Sequence, residues 1–181
     1  MRLEPHIIEG CVKEKRRAQY ILYQHFAPPM LSLCMRYCRN REEAEDVLQE
    51  GFVKIFQKIS TFRQSGSLEG WVRRIMINQA INHLKARKLV FLDADPERIG
   101  ARIPDEDGND AKEELYSPEV MMQAIRDLPP GYKVVFNLYV FEGYSHKEIA
   151  DVLNISENTS KSQLSRARGY VRRWLADKKH R

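Results

Sequence analysis

The sequence lacks any long apolar run. Its longest apolar stretches, such as Val134-Val135-Phe136 and Tyr139-Val140-Phe141, are far shorter than the roughly 20 residues that a membrane-spanning helix requires. The N-terminus places the acidic Glu4 where a signal peptide would place an apolar core, so export is not expected. These absences predict a cytoplasmic protein that does not span a membrane.

Cysteine is also scarce. The three residues Cys11, Cys34 and Cys38 form an odd set that fits a reducing compartment better than a disulfide framework. Cys34 and Cys38 are four residues apart, so they would share a helix face, and a metal site with His25 is conceivable. The alternative, which we favour, is that they are small buried apolar residues. No metal and no cofactor is therefore predicted.

No stretch alternates β-branched residues between hairpin turn signals, and helical periodicity dominates instead. The predicted fold is all-α, with two small helical domains joined by a flexible acidic linker. We place the N-terminal domain at residues 1–92, the linker at residues 93–116 and the C-terminal domain at residues 117–181. The linker is rich in Asp, Glu, Gly and Pro and has no periodic apolar residues.

The net charge of +5 is unevenly distributed. Residues 1–92 carry 16 Lys and Arg against 9 Asp and Glu, a net of +7. Residues 93–117 carry 3 against 9, a net of −6, and residues 118–181 carry 11 against 7, a net of +4. A polyanion such as DNA would be attracted by both ends and repelled by the middle.

The N-terminal block predicts three helical regions. One or two helices cover about residues 4–39, bent or divided at Pro28-Pro29. Asn40 and Glu43 form a start similar to a capping box for a helix of about residues 41–58. Its predicted apolar stripe is Ala44, Val47, Leu48, Val53, Ile55 and Phe56.

A turn at about residues 61–66 follows this helix. Ser67 is placed to cap the next helix, at about residues 67–88. The predicted buried side of that helix opens with Leu68, Trp71, Val72 and Ile75.

The C-terminal block predicts a small helical bundle. Ser117 begins a helix that ends at about Leu128, and an apolar segment of about residues 131–142 stops at Gly143. Ser145 and Glu148 have the spacing of a capping box for a short helix, and Asn154 provides a turn. Ser156 then caps a helix that reaches about Leu175, so the layout is that of a helix-turn-helix.

The second helix of this motif separates its residues by face. The inner positions are Ser160, Leu164, Ala167, Val171 and Trp174. The polar face offers hydrogen bonds to base edges and charge to phosphates, with Arg168, Arg172 and Arg173 extending the basic surface. Its members are Asn158, Lys161, Ser162, Ser165 and Arg166. The alternative is an ordinary solvated helix face.

Two parts of the sequence resemble one known family. The segment Tyr144–Leu175, YSHKEIADVLNISENTSKSQLSRARGYVRRWL, closely resembles the C-terminal region of extracytoplasmic-function sigma factors. The runs AEDVLQEGFVKIFQKI (Ala44–Ile59) and GWVRRIMINQAINHLKARK (Gly70–Lys88), with Phe62 between them, resemble sigma region two. The order and separation of these matches make the resemblance specific.

The resemblance implies a protein that gives RNA polymerase its promoter preference. By resemblance, five residues are expected to dock on the clamp helices of the largest polymerase subunit: Asp46, Leu48, Gln49, Glu50 and Phe56. Asp46 and Glu50 lie four apart on one helix face, where they could accept hydrogen bonds from a partner's arginines. Without the resemblance, a solvated acidic helix surface would be the preferred interpretation.

The resemblance also implies two DNA contacts. The -10 element is expected to be read as single-stranded DNA, with one base extruded into the loop after Phe62. By resemblance, this contact is assigned to Phe62, Arg63, Ser65, Arg74, Asn78, Asn82 and Lys85. Trp71 is assigned to packing. Reading of the -35 element in the major groove is assigned to Asn158, Thr159, Lys161, Ser162, Ser165, Arg166 and Arg168. The polymerase flap and an anti-sigma protein are further expected partners.

Two residues depart from the family pattern. Ser160 stands where valine is usual, which predicts weaker local packing, and Gln163 stands where arginine is common. The acidic linker resembles family linkers that thread toward the polymerase active centre.

Two other functions are compatible with parts of the sequence. A stand-alone helix-turn-helix repressor or activator that does not engage polymerase would need a dimerisation or ligand domain. The N-terminal block instead carries the acidic docking patch and the stripe of Phe62, Asn78 and Asn82. A metal-dependent nuclease would have to use Asp46, Glu50 and Glu69. No phosphate-cradling glycine loop, paired histidines or activated nucleophile accompanies these acids, so no catalytic residue and no enzymatic activity is predicted.

Overall fold

The computed structural model describes residues 5–63, 66–86 and 116–179. Within these ranges the regular structure is helical and no strand occurs, so the all-α prediction is confirmed. The described residues form two compact units, the first ending at Leu84. Eight α-helices lie in the described ranges: α1 Pro5–Val12, α2 Arg16–Tyr37, α3 Arg41–Lys58, α4 Leu68–Ala86, α5 Pro118–Arg126, α6 Pro130–Phe136, α7 His146–Leu153 and α8 Glu157–Lys179. The predicted linker, apart from Tyr116, lies outside the described residues.

The first two helices are divided at residues 13–15 and not at the prolines, which corrects the prediction. Glu14 takes a left-handed conformation with φ 53°, and the Lys15 amide donates to the Gly10 carbonyl at 2.9 Å. A Cβ built on Gly10 would lie 2.6 Å from the Ala18 Cβ, so the glycine permits close packing of α1 on α2.

Helix α2 continues through Pro28 and Pro29. Both prolines are solvent-exposed, so water can hydrate the carbonyls whose amide donors they remove. On the opposite face Leu22, Phe26 and Met30 are buried at steps of four residues. This continuous apolar stripe packs on α3 and stabilises the helix across the two prolines.

Helix α3 has the predicted bounds. The Asn40 side chain accepts a 2.8 Å hydrogen bond from the Glu43 amide, while the Glu43 carboxylate accepts from the Arg39 amide at 3.2 Å instead of completing a capping box with Asn40. The prediction that Val53 lies in the core is wrong, because this side chain is 55% exposed. Phe52, one position earlier, is buried in its place.

Helix α4 begins after Ser67, whose hydroxyl accepts from the Gly70 amide at 3.2 Å, as predicted. Its buried side contains Val72 but not Leu68, Trp71 or Ile75, which are only half-buried. The remaining buried residues of α4 are Met76, Ile77, Gln79, Ala80, Ile81 and Leu84. The core face is thus rotated slightly from the predicted one, and it includes a glutamine.

The second unit is built around one apolar segment. Ser117 caps α5 by accepting from the Val120 amide at 3.4 Å. Every residue from Tyr132 to Leu138 is buried, and the chain passes from α6 into a π-helical turn, Asn137–Phe141. Gly143 has φ 71°, a conformation that favours glycine, so it ends this segment as predicted.

Candidate functional site

The acidic face of the first unit lies on α3. Asp46, Gln49 and Glu50 are all exposed, so the structure brings together three of the five residues assigned to docking. Phe56 is half-buried, with its ring 6.0 Å from that of Phe52. Leu48 differs from the expectation: it is 4% exposed and belongs to the core, which leaves almost no surface for a partner to contact.

A polar bridge joins this face to α4. The Gln79 amide nitrogen donates to the Glu50 carboxylate, and the Lys54 ammonium donates to the Gln79 amide oxygen. This bridge was not predicted from the sequence. The available signal was a glutamine beside Met76 and Ala80, at a spacing where α4 otherwise has apolar residues.

The turn between α3 and α4 carries part of the predicted -10 site. The rings of Phe62 and Trp71 lie 5.6 Å apart at an interplanar angle of 52°, and both side chains are half-buried. This contact agrees with the assignment of Trp71 to packing. Arg63 is exposed, whereas Ser65 lies outside the described residues.

The asparagine stripe of α4 is at the surface. Arg74, Asn78, Asn82 and Lys85 are all exposed, in contrast to the buried residues between them. Because amides can donate and accept hydrogen bonds, this surface can pair with unstacked bases and with phosphates. These four positions share one face of α4 because they follow each other at steps of three or four residues.

The helix-turn-helix of the second unit is held by its caps. Ser145 and Glu148 form the predicted reciprocal capping box, with the Ser145 amide donating to the Glu148 carboxylate at 2.8 Å. The hydrogen bond from the Ser145 amide makes the larger contribution to lowering the pKa of Glu148, and a hydrogen bond from the Ser145 hydroxyl lowers it further. Asn154 forms the turn with φ 58°, and Ser156 caps α8 by accepting from the Thr159 amide at 3.0 Å. Helix α8 extends four residues beyond the predicted end.

The predicted DNA-contacting residues of α8 are not equally exposed. Asn158, Lys161, Ser162 and Arg168 are exposed, whereas Thr159, Ser165 and Arg166 are half-buried. The Ser162 hydroxyl donates to the Thr159 carbonyl at 3.0 Å, so its oxygen remains available as an acceptor.

The inner face of α8 contains two polar residues. Ser160 is fully buried, and its hydroxyl lies 2.9 Å from the His146 Nδ1 of α7. Gln163 is 4% exposed and close to Gly131, whose added Cβ would lie 3.8 Å from the Gln163 amide. Gln163 therefore faces the core of the unit and not the exposed face of α8.

His146 is surrounded by groups that disfavour its protonation. Its ring stacks on Tyr139 with centroids 4.7 Å apart, and the Arg168 guanidinium lies 5.9 Å from the Tyr139 centroid. Burial first, and then the charges of Lys161 and Arg168, lower the pKa of His146, while Glu157 acts in the opposite direction. The folded unit therefore favours the neutral form of the His146 ring.

The structure offers no support for a metal site in its described residues. Cys11, Cys34 and Cys38 form no disulfide, and each is at most 1% exposed, as expected for small buried apolar residues. Burial raises the pKa of Cys34 to about 12, which opposes formation of a thiolate ligand. Across residues 5–63, 66–86 and 116–179, no three His, Cys, Asp or Glu side chains are grouped for a metal ion, those of the alternative nuclease included.

Comparison with known proteins identifies the family. Residues 22–90 match Sigma-70 region 2, and residues 119–170 match Sigma-70, region 4. The RNA polymerase sigma-H factor of Pseudomonas aeruginosa is 30% identical over 185 residues, covering 91% of this chain and 90% of that protein. The ECF RNA polymerase sigma-E factor of Haemophilus influenzae is 27% identical and covers 91% of each chain. The chain belongs to the extracytoplasmic-function sigma factors.

Solved structures share the fold of this sigma factor. The sigma factor RpoE of Bartonella quintana, in complex with the anti-sigma factor NepR, has a TM-score of 0.55 and 19% identity, covering 86% of this chain and 96% of that one. CnrH, in complex with the cytosolic domain of CnrY, has a TM-score of 0.52 and 18% identity, covering 94% and 96%. In the described part of the sigma factor, no helix is long and apolar enough to cross a bilayer.

Proposed function

We propose that this sigma factor binds core RNA polymerase through the acidic face of α3, reads the -35 element as duplex through α8, and reads the -10 element as melted single strand through α4. The observation that carries this proposal is the distribution of polar side chains. Each of the three helices has one polar face exposed and its opposite face buried in the core of its own unit. The proposed site of action is the cytoplasm, where polymerase works.

Docking on polymerase is supported by the charge and exposure of α3. Asp46 and Glu50 are exposed carboxylates one helical turn apart, with the Gln49 amide beside them. Such a face suits bidentate hydrogen bonds from arginines on the clamp helices of the largest polymerase subunit. The polymerase flap is proposed as a second contact, made by the C-terminal unit.

Reading of the -10 element is supported by the position of the asparagines relative to the Phe62 turn. Asn78 and Asn82 are on the exposed side of α4, and the turn that precedes α4 carries the Phe62 ring. Extruding a base costs a few kcal/mol in lost stacking and pairing. Stacking and hydrogen bonds to the extruded base would offset that cost, so base capture can drive melting without ATP hydrolysis.

Reading of the -35 element is supported by the geometry of the helix-turn-helix. The exposed Asn158, Lys161 and Ser162 occupy the N-terminal part of α8, which is the part of a recognition helix that contacts base edges. Arg168 is positioned further along the same helix for phosphate contacts. This arrangement separates sequence reading from charge neutralisation.

Regulation by an anti-sigma protein is also proposed. Of two structures with the same fold, the sigma factor RpoE was solved in complex with the anti-sigma factor NepR, and CnrH in complex with the cytosolic domain of CnrY. A protein that covers the acidic face of α3 would prevent polymerase docking by competition.

Transcription in vitro tests the proposed function. Purified chain and core polymerase are incubated with fragmented genomic DNA, and the 5′ ends of the transcripts are sequenced. We expect start sites that need both proteins and that share sequence elements near -10 and -35. A chain that forms no complex with core polymerase, or that opens no duplex once bound, would contradict the proposal.

A further inference from the structure

Gln79 occupies an apolar part of α4 although it is polar. It is 4% exposed, and both ends of its amide are paired: the nitrogen donates to the exposed Glu50 carboxylate and the oxygen accepts from Lys54. Burying an unpaired amide is costly, whereas an apolar side chain at this position would need no partner. The glutamine therefore contributes directed hydrogen bonds that packing alone does not require.

Close approach of the two helices makes the bridge possible. A Cβ built on Gly51 would lie 2.5 Å from the Met76 Sδ and 3.9 Å from the Gln79 Cγ. Because Gly51 has no side chain, α4 lies close enough for Gln79 to reach α3. The close packing that forms the core of the unit therefore also brings Gln79 within hydrogen-bonding distance of α3.

The bridge restricts the Glu50 side chain. Lys54 occupies the amide oxygen of Gln79, so the amide nitrogen is directed toward Glu50 and cannot exchange places with the oxygen without losing both hydrogen bonds. An exposed glutamate otherwise samples several rotamers, and ordering a flexible side chain opposes binding. A carboxylate that is already ordered avoids that cost.

We propose that Gln79 is a positioning residue for polymerase docking: from the buried side of α4 it holds the exposed Glu50 carboxylate of α3 in the orientation that a cationic group of core polymerase binds. This inference rests on the proposed function. It also connects docking to the helix assigned to the -10 element, because Gln79 directly follows Asn78. Asp46 shares the exposed face of α3 but makes no hydrogen bond to Gln79, so it provides the matched control.

A double-mutant cycle on full-length chain tests the proposal. The dissociation constant for core polymerase is measured for Gln79→Leu, Glu50→Ala and the double variant, and again with Asp46→Ala in place of Glu50→Ala. Loss of one ordering contact predicts a weakening of about three- to tenfold for Gln79→Leu. We expect no further weakening by Gln79→Leu when Glu50 is already alanine, and the full weakening when Asp46 is alanine. Additive effects in both cycles would overturn the proposal.

An exchange of the two groups separates positioning from simple packing. Combining Glu50→Gln with Gln79→Glu places a donor at position 50 and an acceptor at position 79, so the bridge can form with its direction reversed and the Lys54 contact is kept. The exchange moves the negative charge off the docking face. We expect thermal unfolding close to that of the native chain and polymerase binding as weak as that of Glu50→Gln alone. Binding restored to the native level by the exchange would mean that the bridge acts only on packing, and the proposal would fail.

The controls distinguish a failure of this proposal from a failure of the proposed function. If native chain does not bind core polymerase, the proposed function itself is wrong; if it binds and the Glu50 cycle is additive, only the role of Gln79 is wrong. Thermal unfolding of each variant checks that it folds. Should Gln79→Leu not fold, Lys54→Met releases the amide oxygen while leaving Gln79 in place, and the same dependence on Glu50 is expected.

Discussion

The His146 Nδ1 and the Ser160 hydroxyl oxygen are 2.9 Å apart, so the first helix of the helix-turn-helix is hydrogen-bonded to a fully buried position of the second. Valine is the family's usual residue at position 160, and it could not make this contact. The serine thus replaces apolar packing with a specific polar link between α7 and α8.

We expect Ser160→Val to destabilise the second unit by about 1 kcal/mol, because the gain in apolar burial leaves the His146 nitrogen without its partner. The chain has two tryptophans, so urea unfolding followed by Trp174 fluorescence in a Trp71→Phe background reports on this unit. In a His146→Phe background the same substitution should be neutral or stabilising. An equal loss in both backgrounds would show that the hydrogen bond has no role.

Local signals in the sequence predicted much of this second unit. Ser145, Asn154 and Ser156 each have a backbone-directed role that depends on neighbours within a few residues, so sequence spacing was sufficient. The Ser160 link was not predicted, because residues 14 apart in sequence meet only after the two helices pack. Reading Ser160 as a lost apolar contact was therefore incomplete.

In the first unit, too, contacts between helices could not be predicted from local sequence signals. The bounds of α3 follow from its cap and its periodicity, but periodicity placed Val53 inside when the adjacent Phe52 is the buried residue. Neighbouring positions differ by about 100° around a helix, and the direction of the partner helix decides between them. The Gln79 bridge depends on that same direction, so helical spacing alone did not reveal it.

Stability of the second unit should depend on pH through His146. Its pKa in the folded state is lowered from the ordinary value of 6.5, so the unfolded chain binds the proton more readily. The unit should be most stable above pH 6.5 and should lose stability as the pH falls through 6.5, with no further loss from this residue below the folded pKa. Unfolding followed by Trp174 at several pH values measures this, and His146→Phe should flatten the dependence. A dependence unchanged by that substitution would assign it to other groups.

Asn154 should tolerate glycine better than alanine. Its φ of 58° is a left-handed conformation, which costs about 1–2 kcal/mol for a residue with a Cβ and no local hydrogen-bonding side chain. We expect Asn154→Ala to destabilise the second unit by about 1 kcal/mol and Asn154→Gly to change it little. The urea assay with Trp174 provides the measurement. Equal losses for the two variants would point to a role of the asparagine side chain instead.

Replacement of the exposed asparagines of α4 should impair opening more than initial binding. Removing a hydrogen-bonding partner and leaving a desolvated base edge unsatisfied costs about 1–3 kcal/mol, so Asn78→Ala or Asn82→Ala should lower the open-complex population by roughly tenfold or more. Permanganate reactivity of unpaired thymines measures opening, and filter binding on the same promoter measures total complex. On a template with a pre-melted -10 bubble, each variant should still bind more weakly than the native chain. Normal binding to that template would indicate that the asparagines do not contact the single strand.

Polymerase binding and -35 recognition should be separable, because their residues belong to different compact units. Asp46→Ala with Glu50→Ala should weaken the complex with core polymerase by about tenfold or more, as expected when charged hydrogen bonds across an interface are lost.

Arg166→Ala should leave the complex with core polymerase intact and lower affinity for promoters that contain the -35 element. Because Arg166 is half-buried, Arg168→Ala at an exposed position is the cleaner probe of charge, and it should reduce the salt dependence of promoter binding by about one phosphate contact. Fluorescence anisotropy with labelled core and labelled promoter at several salt concentrations distinguishes the two defects. Comparable loss of core binding in the α3 and α8 variants would mean that the two units do not divide the work in this way.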